Sequence, residues 1–267
     1  MSQRASAEVG DLAAPSSLWD RFVGSWAWPT TVFVLLLVGW EAYVRLSGIL
    51  PVILPAPSAV LSYMWVQREL LLENAWPTVL HCLLGFVLAV VGGIAIAVLI
   101  TQFTTIRRGF YPLVVGIALI PKISVAPLFT LWFGAGTVAR VSLVFFIAFF
   151  PMVVSPASGL MSVDAGLLRM ARAFGASRSQ IFWSLRVPSA MPYVFDGMKV
   201  AMSLAVIGII VAEFVTADRG LGYLVIFATG LLDTTMMLAA IILLSIIGLG
   251  LYFAIETAGR IVVYWRS

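Results

Sequence analysis

The feature that most constrains this chain is a series of apolar runs, each long enough to cross a lipid bilayer. A membrane-spanning helix needs about 20 predominantly apolar residues. The sequence contains six runs of that kind, at approximately 29–47, 79–101, 111–133, 137–158, 192–216 and 236–257. A Gly-Ala-Gly sequence at 134–136 separates the third and fourth runs, which predicts a tight turn and an antiparallel helix pair. We therefore expect an all-α membrane protein with six transmembrane helices.

The composition favours the same class. Of the 267 residues, 62% are hydrophobic and only 10% are charged, whereas a soluble domain has about 25% charged residues. The net charge of +4 is not gathered into a basic patch with interleaved aromatic residues, so we expect no nucleic-acid partner. The excess of positive charge is better explained by the topology of the chain in the membrane.

One polar stretch, from Asp164 to Pro192, interrupts the apolar pattern. It carries four of the 16 Lys and Arg residues, namely Arg169, Arg172, Arg178 and Arg186. Basic residues close to the ends of membrane spans are retained on the cytoplasmic side. The stretch is therefore predicted to be a cytoplasmic loop, at about 164–191.

The same loop is predicted to form two short helices joined by a glycine turn. Its apolar residues recur at helical spacing, as Leu167, Leu168, Ala171 and Phe174. Gly175 interrupts this pattern and Ser177 is suited to cap the start of a second helix. Pro188 and Pro192 are expected to end that second helix. An amphipathic element of this kind, outside the membrane core, is suited to be held by a partner protein.

The distribution of arginine predicts the orientation. If both termini lie inside, ten arginines are inside, namely Arg4, Arg21, Arg107, Arg108, Arg169, Arg172, Arg178, Arg186, Arg260 and Arg266. Four are then outside, namely Arg45, Arg68, Arg140 and Arg219. This excess predicts cytoplasmic N and C termini. Residues 1–28, which are rich in Ser and Ala and mixed in charge, are expected to form a cytoplasmic or interfacial tail, and 29–267 the six-helix membrane domain.

The sequence offers no set of residues for catalysis. Its two lysines, Lys122 and Lys199, do not follow the glycine-rich backbone that a phosphate-binding loop needs, so we expect no ATP hydrolysis by this chain. Its single histidine, His81, and single cysteine, Cys82, are too few for a metal cluster or a nucleophile pair. We expect no metal or cofactor on this chain, a packing or headgroup-level role for His81, and a buried position for Cys82.

Charged residues inside the apolar runs are costly unless they face protein or water. Lys122 follows Pro121 near the middle of the third run, where Pro121 and Pro127 are expected to disturb the helix. An interrupted helix with a cation at that depth suits an anion pathway. Alternatively, Lys122 extends to the membrane surface or pairs with Glu213, a carboxylate near the end of the fifth run. Glu213 is itself either a gate or an interfacial carboxylate.

Several other residues are predicted to have structural roles. Asp196 and Lys199 lie three residues apart on one helix face, which predicts an internal ion pair. Glu41 in the first run is interpreted as structural, and Arg260 as an anchor beyond the last run. The second run has three glycines that we interpret as helix-packing positions, namely Gly85, Gly92 and Gly93.

The polar loop resembles the cytoplasmic loop of ABC importer permeases. The motif of that family is Glu-Ala-Ala, three residues, Gly, nine residues, and Ile-x-Leu-Pro. Ala171 matches the third position of the motif, its second alanine, and Gly175 matches its glycine. Residues 185–188 (Leu-Arg-Val-Pro) match its end. Arg169 and Met170 replace the glutamate and the first alanine. The chain also resembles the nitrate/sulfonate/taurine branch of these permeases in three places. These are the segments LWFGAGTVARVSL and GLGYLV, and an opening with Trp-Glu and Leu-Pro-Ala-Pro-Ser.

The resemblance implies a type I ABC importer-like fold in which the loop is a coupling helix. It implies an assembly of two permease copies, expected to be a homodimer, with two separate ATPase subunits that carry ATP and Mg, and an extracytoplasmic solute-binding protein. The location implied is the bacterial inner (plasma) membrane. The solute implied is a small anion or zwitterion such as nitrate, a sulfonate, taurine or bicarbonate, or a pyrimidine or aromatic compound.

The resemblance also implies two groups of functional residues. The residues expected to dock the ATPase are Arg169, Ala171, Arg172, Phe174, Gly175, Ala176, Ser177, Arg178 and Pro188. The residues expected to line the translocation pathway are Pro121, Lys122 and Glu213.

Two other classes of function are weighed against this one. A self-sufficient secondary transporter or channel predicts inverted repeats or several intramembrane carboxylates, neither of which the sequence clearly contains. A membrane enzyme would need a nucleophile and a base that converge, which the sequence lacks. The importer subunit is therefore the favoured hypothesis.

Overall fold

The computed structural model describes residues 18–103, 109, 116, 120–216 and 218–266, and these contain no β-strand. The α-helices, in chain order, are α1 (Leu18–Ser47), α2 (Pro57–Val66), α3 (Arg68–Gln102), α4 (Ala126–Phe133), α5 (Thr137–Met161), α6 (Ala165–Ala173), α7 (Arg178–Ile181), α8 (Val187–Thr216), α9 (Leu221–Leu231) and α10 (Thr234–Val262). A 3₁₀ turn at Lys122–Val125 precedes α4, a π-helical turn at Phe182–Arg186 joins α7 to α8, and a 3₁₀ turn at Tyr264–Arg266 follows α10. The expected all-α class is confirmed.

Within the described residues, five helical segments are long and apolar enough to cross a membrane. They are Trp28–Ser47, Arg68–Gln102, Thr137–Met161, Arg178–Val215 and Thr234–Val262. Two shorter apolar segments, Lys122–Phe133 and Leu221–Leu231, lie between them. Most of the first half of the predicted third span, 111–133, lies outside the described residues, as do Arg4, Arg107 and Arg108.

Two helices begin earlier than predicted. Helix α1 starts at Leu18 rather than near Pro29, and α3 starts at Arg68 rather than near residue 79. A short helix, α2, lies between the first two spans, and the polar residues around Glu69 belong to the first turns of α3. Helix α3 contains Pro77, because one proline removes a single backbone hydrogen bond and a long helix can continue past it.

The prediction that Pro188 and Pro192 end the second loop helix is wrong. The helix runs from α7 through the π-helical turn into α8, and both prolines lie within α8. In this turn the amide of Val187 donates to the carbonyl of Phe182, five residues back. Pro188 comes directly after this wider turn, which lets the helix continue past a residue that has no amide to donate.

The main core is formed where α3, α5 and α8 pack against each other. Ala89 of α3, Val144 of α5 and Ala205 of α8 are all fully buried in it. A Cβ added to Gly85 would lie less than 3.0 Å from Val144, and one added to Gly93 would lie less than 3.0 Å from Met152. The predicted packing role of these two glycines is confirmed, because only a glycine allows α3 and α5 to approach so closely.

The connection from the third to the fourth predicted span is the expected turn. Helix α4 ends at Phe133, Gly134 has φ +75°, and α5 starts at Thr137. The two helices contact each other through the rings of Phe129 and Phe146, whose centroids are 5.6 Å apart.

A second core joins α2, the start of α3, α9 and α10. It contains Val60, Leu71, Leu224 and Met236 among its buried residues. This core holds the short helix α9 against the rest of the chain. It therefore positions the start of α9 beside the ends of α3 and α8.

Helix α1 is connected to α2 by Glu41. The carboxylate accepts hydrogen bonds from the Ser58 amide (3.0 Å) and the Ser58 hydroxyl (2.7 Å), and pairs with Arg45 at 2.6 Å. The structural role predicted for Glu41 is therefore confirmed, and the Ser58 amide that it caps is one of the first in α2.

The glycine contacts yield a stability prediction. We expect Gly93→Ala to lower the free energy of unfolding by about 1–3 kcal/mol, because its methyl group would overlap with Met152. Gly92→Ala is the matched control, since its added Cβ would lie 3.5 Å from the Phe145 ring, an ordinary contact. Thermal unfolding of both variants in detergent measures the difference, and equal midpoints would contradict this account of the α3–α5 interface.

Candidate functional site

The first helix of the polar loop is closed at both ends by local hydrogen bonds. The carboxylate of Asp164 accepts from the Leu167 amide at 2.9 Å and caps the start of α6. At the other end, the amides of Gly175 and Ala176 donate to the carbonyls of Arg172 and Ala171, both at 3.0 Å. With Gly175 at φ +80°, this is a Schellman motif, a standard way to end a helix. The expected glycine turn is confirmed.

The second loop helix begins with a capping box. The Ser177 hydroxyl accepts from the Gln180 amide at 3.2 Å, and the Gln180 side chain accepts from the Ser177 amide at 2.7 Å. Two amides that the helix leaves without partners are thus satisfied by side chains. The predicted capping role of Ser177 is confirmed.

The loop presents an open concave surface next to exposed apolar and basic side chains. A cavity of about 410 Å³ is lined by Ala171, Phe174, Gly175, Ala176, Gln180, Ile181, Ser184 and Leu185. The Phe174 side chain is 86% exposed, and a Cβ added to Gly175 would meet nothing within 4 Å. Arg169, Arg172 and Arg178 are exposed beside it. The structure thus brings most of the predicted docking residues together, whereas Pro188 lies farther along, in α8.

The backbone at Pro121 and Lys122 is not α-helical, whereas most of the predicted span before residue 120 lies outside the described residues. Pro121 is not helical (φ −63°, ψ 89°), and Lys122 begins a 3₁₀ turn. Pro127 starts α4 instead of disturbing a helix, because it lies in the first turn, where no amide hydrogen bond is lost. The Lys122 ammonium lies 5.1 Å from the centroid of the Phe150 ring, a cation–π arrangement.

A third group of polar residues lies at the end of α8 opposite to the loop. The buried polar or charged side chains of the described residues all belong to it, namely Asn74, Thr78, His81, Arg140 and Glu213. We call this group the polar cluster. Because buried polar groups cost free energy unless they are hydrogen-bonded, their concentration in one place requires an explanation.

The polar cluster holds the start of α9. The amide of Gly220 donates to the side-chain oxygen Oδ1 of Asn74 at 2.9 Å, and that of Leu221 donates to the Thr78 hydroxyl at 2.9 Å. The amide of Gly222 donates to Glu213 Oε2 at 2.8 Å. The first amides of a helix have no partner within the helix, so side chains of α3 and α8 satisfy them here.

Glu213 is the centre of this arrangement. Its second oxygen, Oε1, accepts from the Thr78 hydroxyl at 2.8 Å, and the residue is 1% exposed. A carboxylate at a helix N-terminus is favoured by the helix dipole. Gly220 has φ +125°, and a Cβ there would overlap with the Glu213 carboxylate. Each carboxylate oxygen therefore accepts a hydrogen bond, one from Thr78 of α3 and the other from Gly222 of α9. The alternative, in which Glu213 pairs with Lys122, is not what the structure shows.

Arg140 links the cluster to the connection between α8 and α9. Its guanidinium lies 2.9 Å from the carboxylate of Asp218, and its side chain is 7% exposed while that of Asp218 is 78% exposed. The hydrogen bond from Arg140 lowers the pKa of Asp218 below its usual range. His81 lies nearby, with Nε2 3.2 Å from the Thr137 hydroxyl. It is buried, so the packing alternative for His81 is the correct one.

Sequence reasoning singled out Glu213 but missed Asn74 and Thr78, the two residues of α3 that also hold the start of α9. Asn74 is 146 positions from Gly220, and Thr78 is 143 positions from Leu221, the residues whose amides they accept from. One signal was available: positions 74, 78 and 81 follow i, i+4 and i+7 spacing, so three polar residues share one face of an otherwise apolar helix.

Comparison with known proteins gives consistent matches. Residues 83–262 match the family model described as "binding-protein-dependent transport system inner membrane component". The chain is 34% identical over 240 residues to the formylaminopyrimidine transport permease protein ThiX of Halalkalibacterium halodurans, covering 90% of this chain and 96% of that protein. It is 32% identical to the riboflavin transport system permease protein RibX of Chloroflexus aurantiacus (92% and 94% covered) and 27% identical to the taurine transport system permease protein TauC of Escherichia coli (91% and 94%).

Solved structures share the fold. An inward-facing structure of the MetNI methionine ABC transporter contains a chain that matches with a TM-score of 0.63 at 22% identity, over 73% of this chain and 97% of that one. A bacterial alginate ABC transporter, in complex with its alginate-bound periplasmic protein, matches with a TM-score of 0.57 at 14% identity, over 93% and 99%.

The contacts of Glu213 yield a second prediction. We expect Glu213→Ala to lower the free energy of unfolding by about 1–3 kcal/mol, because the buried Gly222 amide loses its acceptor. Glu213→Gln keeps an acceptor of the same size and should retain most of the stability. Thermal unfolding in detergent is the measurement, with Glu73→Ala, an exposed carboxylate on α3, as the control. Equal losses for Ala and Gln would show that the charge matters rather than the acceptor.

Proposed function

The chain belongs to the family of binding-protein-dependent transport system inner membrane components, and on that basis we propose that it forms the translocation pathway of an ATP-driven ABC importer. The relatives named above are permease proteins of transport systems, and the match to them extends over about nine-tenths of the chain. The observation that carries the proposal is the polar loop, a preformed pair of capped helices with an exposed concave surface.

In the proposed assembly, two copies of this chain cross the membrane with six helices each. The sixth span per copy is the predicted one at 111–133, whose last part is α4. Both termini and the polar loop lie in the cytoplasm, as the arginine distribution predicts. A homodimer is the simplest arrangement, and an extracytoplasmic solute-binding protein delivers the solute.

The polar loop is proposed to dock a separate ATPase subunit, which carries the ATP and Mg. Phe174, 86% exposed, would provide apolar contact, and Arg172 and Arg178 would provide charged hydrogen bonds. The remaining docking residues are Arg169, Ala171, Gly175, Ala176, Ser177 and Pro188. Because both loop helices are capped by their own side chains, the loop can present a fixed shape to its partner.

A continuous helix would carry the motion of the docked loop through the membrane. The segment Arg178–Val215 has 38 residues, which at about 1.5 Å per residue is roughly 57 Å. Its far end carries Glu213, which holds the start of α9. Closure of the ATPase dimer would therefore move the loop and the polar cluster together, as a rigid body between two discrete states.

The pathway is proposed to include Pro121, Lys122 and Glu213. The 3₁₀ turn at Lys122 supplies a cation next to an interrupted helix, an arrangement that suits an anionic group. Glu213 would contribute by holding α9 in position, since its oxygens accept from Thr78 and Gly222.

The solute is proposed to be a small anion or zwitterion, such as nitrate, a sulfonate, taurine or bicarbonate, or a pyrimidine or aromatic compound. The relatives support this range, since their names include taurine, riboflavin and formylaminopyrimidine. The Lys122 ammonium over the Phe150 ring places a cation and an aromatic surface together, which suits an anionic or an aromatic solute.

A pull-down from native membranes in mild detergent tests the proposal against the alternative of a self-sufficient secondary transporter or channel. We expect a soluble ATPase with a phosphate-binding loop to co-purify with the chain. If the chain is recovered alone and still moves solute into liposomes without ATP, the alternative is correct.

Gly175 gives a specific test of docking. We expect Gly175→Trp to leave the helices inserted but to reduce ATPase co-purification and uptake by at least about tenfold, equivalent to about 1.4 kcal/mol of binding. The reason is that a large side chain would project from a turn with φ +80° into the docking surface. Gly48→Trp is the matched control, because Gly48 has φ +65° and open space around it but lies outside the loop. Normal uptake by the Gly175 variant would contradict docking at this turn.

Lys122 gives a separate test of the pathway. We expect Lys122→Met to reduce uptake without changing the amount of chain in the membrane or its binding to the ATPase. Lys122→Arg keeps the positive charge and should retain uptake of an anionic solute. Uptake measured with both variants at matched expression decides the point, and unchanged uptake by the Met variant would assign Lys122 a structural role.

A further inference from the structure

A cavity of about 550 Å³ lies between α8 and the end of α10, away from the loop surface and the polar cluster. The lining residues that matter here are Phe195, Asp196, Lys199, Glu256, Gly259 and Arg260. Its volume falls within the range of about 300–1,000 Å³ that is typical of small-ligand sites. Space of this size next to four charged groups indicates a ligand with charges of its own.

Two ion pairs from facing helices line the cavity. Lys199 and Asp196 of α8 are 2.8 Å apart, as are Arg260 and Glu256 of α10, so the lining has two positive and two negative charges. The side chains of Asp196 (54% exposed) and Arg260 (79% exposed) are largely open to solvent. Ion pairs that are open to solvent contribute little to stability, because water and salt screen them. A ligand with one charge of each sign can therefore replace them at little cost.

The cavity lies at the membrane boundary. Helix α10 ends at Val262, two residues after Arg260, and Tyr264 and Trp265 follow it. Aromatic residues of these two types are enriched at the level of the lipid headgroups. The base of the cavity is fixed by a close approach of the two helices, where a Cβ added to Gly259 would lie 3.1 Å from the Phe195 ring.

An exposed apolar stripe leads from the cavity toward the membrane interior. On α10, Ile246, Leu249 and Phe253 are 57%, 57% and 49% exposed. With Glu256 and Arg260 they follow i, i+3, i+7, i+10 and i+14 spacing, so all five share one helix face. On α8, Val200 and Ile207 are also exposed, four and eleven residues after Asp196. These surfaces would be covered by acyl chains below a headgroup.

We propose that this cavity binds the headgroup of a zwitterionic phospholipid, phosphatidylethanolamine. Lys199 and Arg260 would bind its phosphate, and Asp196 and Glu256 would accept hydrogen bonds from its primary ammonium. The apolar stripe selects a lipid rather than a free zwitterion of the same charge. A trimethylated ammonium has no N–H to donate, so phosphatidylcholine is disfavoured, and a lipid with a net negative charge leaves both carboxylates unmatched. The site requires only the fold, so it stands independently of the proposed import function.

Lipid titration of the purified full chain, with any co-purifying subunits, tests the site. The protein is stripped of lipid by detergent exchange, and its thermal unfolding midpoint is followed as dioleoyl phosphatidylethanolamine, phosphatidylcholine or phosphatidylglycerol is added. We expect half-saturation with the ethanolamine lipid at a mole fraction about tenfold lower than with the other two. Equal responses to the three lipids would overturn the proposal. Such a result would mean that the lipids bind only as a non-specific layer, or that a second copy of the chain covers the apolar stripe.

Variants locate the binding. The double change Asp196→Asn with Glu256→Gln should abolish the preference for ethanolamine, whereas Lys199→Arg with Arg260→Lys, which keeps all four charges, should retain it. Glu69→Gln with Glu73→Gln is the control, since both are exposed carboxylates at the start of α3. A preference that survives the first double change would overturn the assignment of these residues.

Free sn-glycero-3-phosphoethanolamine, which has the same phosphodiester headgroup without acyl chains, identifies the source of the ligand. Measured on the unaltered protein, it also keeps the proposal testable if the double variant does not fold. We expect it to compete only weakly with the lipid. Binding as tight as that of the lipid would show a site for soluble zwitterions and would overturn the lipid assignment.

Discussion

The carboxylate of Glu213 is the interaction on which the arrangement of the helices opposite to the loop depends. Helix α9 has only 11 residues, and the first two, Leu221 and Gly222, are buried. Amides at such a start cost about 1–3 kcal/mol each when left without a partner. Glu213, Thr78 and Asn74 satisfy three successive amides, and in doing so they bring together α3, α8 and α9. The Arg140–Asp218 pair adds α5 to the same junction.

Features of the fold that depend on neighbouring residues could be predicted from the sequence. The Gly175 turn and the Ser177 cap are determined by hydrogen bonds within a few residues, and both predictions are correct. The termination at Pro188 was predicted wrongly, because the π-helical turn before it changes which amides need partners. The polar cluster could not be derived from local pattern, since Thr78 and Glu213 are 135 positions apart and meet only after the helices pack.

The chain satisfies its charges inside the membrane in different ways, and the difference follows from where each charge lies. Glu213 is completed by backbone amides and a hydroxyl, so its geometry is fixed by the main chain of α9. Lys122 lies over the ring of Phe150, which attracts a cation without fixing a direction. A group held by directional bonds suits a junction that must keep its shape.

The π-helical turn at Phe182–Arg186 determines the direction in which the polar loop faces relative to α8. One additional residue in a helical turn rotates everything beyond it by about 100° around the helix axis, because an α-helix has about 3.6 residues per turn. The loop and α8 are therefore two rigid pieces. The rotation of one relative to the other about the helix axis depends on this single additional residue. A chain with an ordinary α-turn at this point would have the same two helices, the same caps and the same prolines, yet its polar loop would face a different direction. Divergence at this one turn could match the same membrane scaffold to differently placed partner grooves.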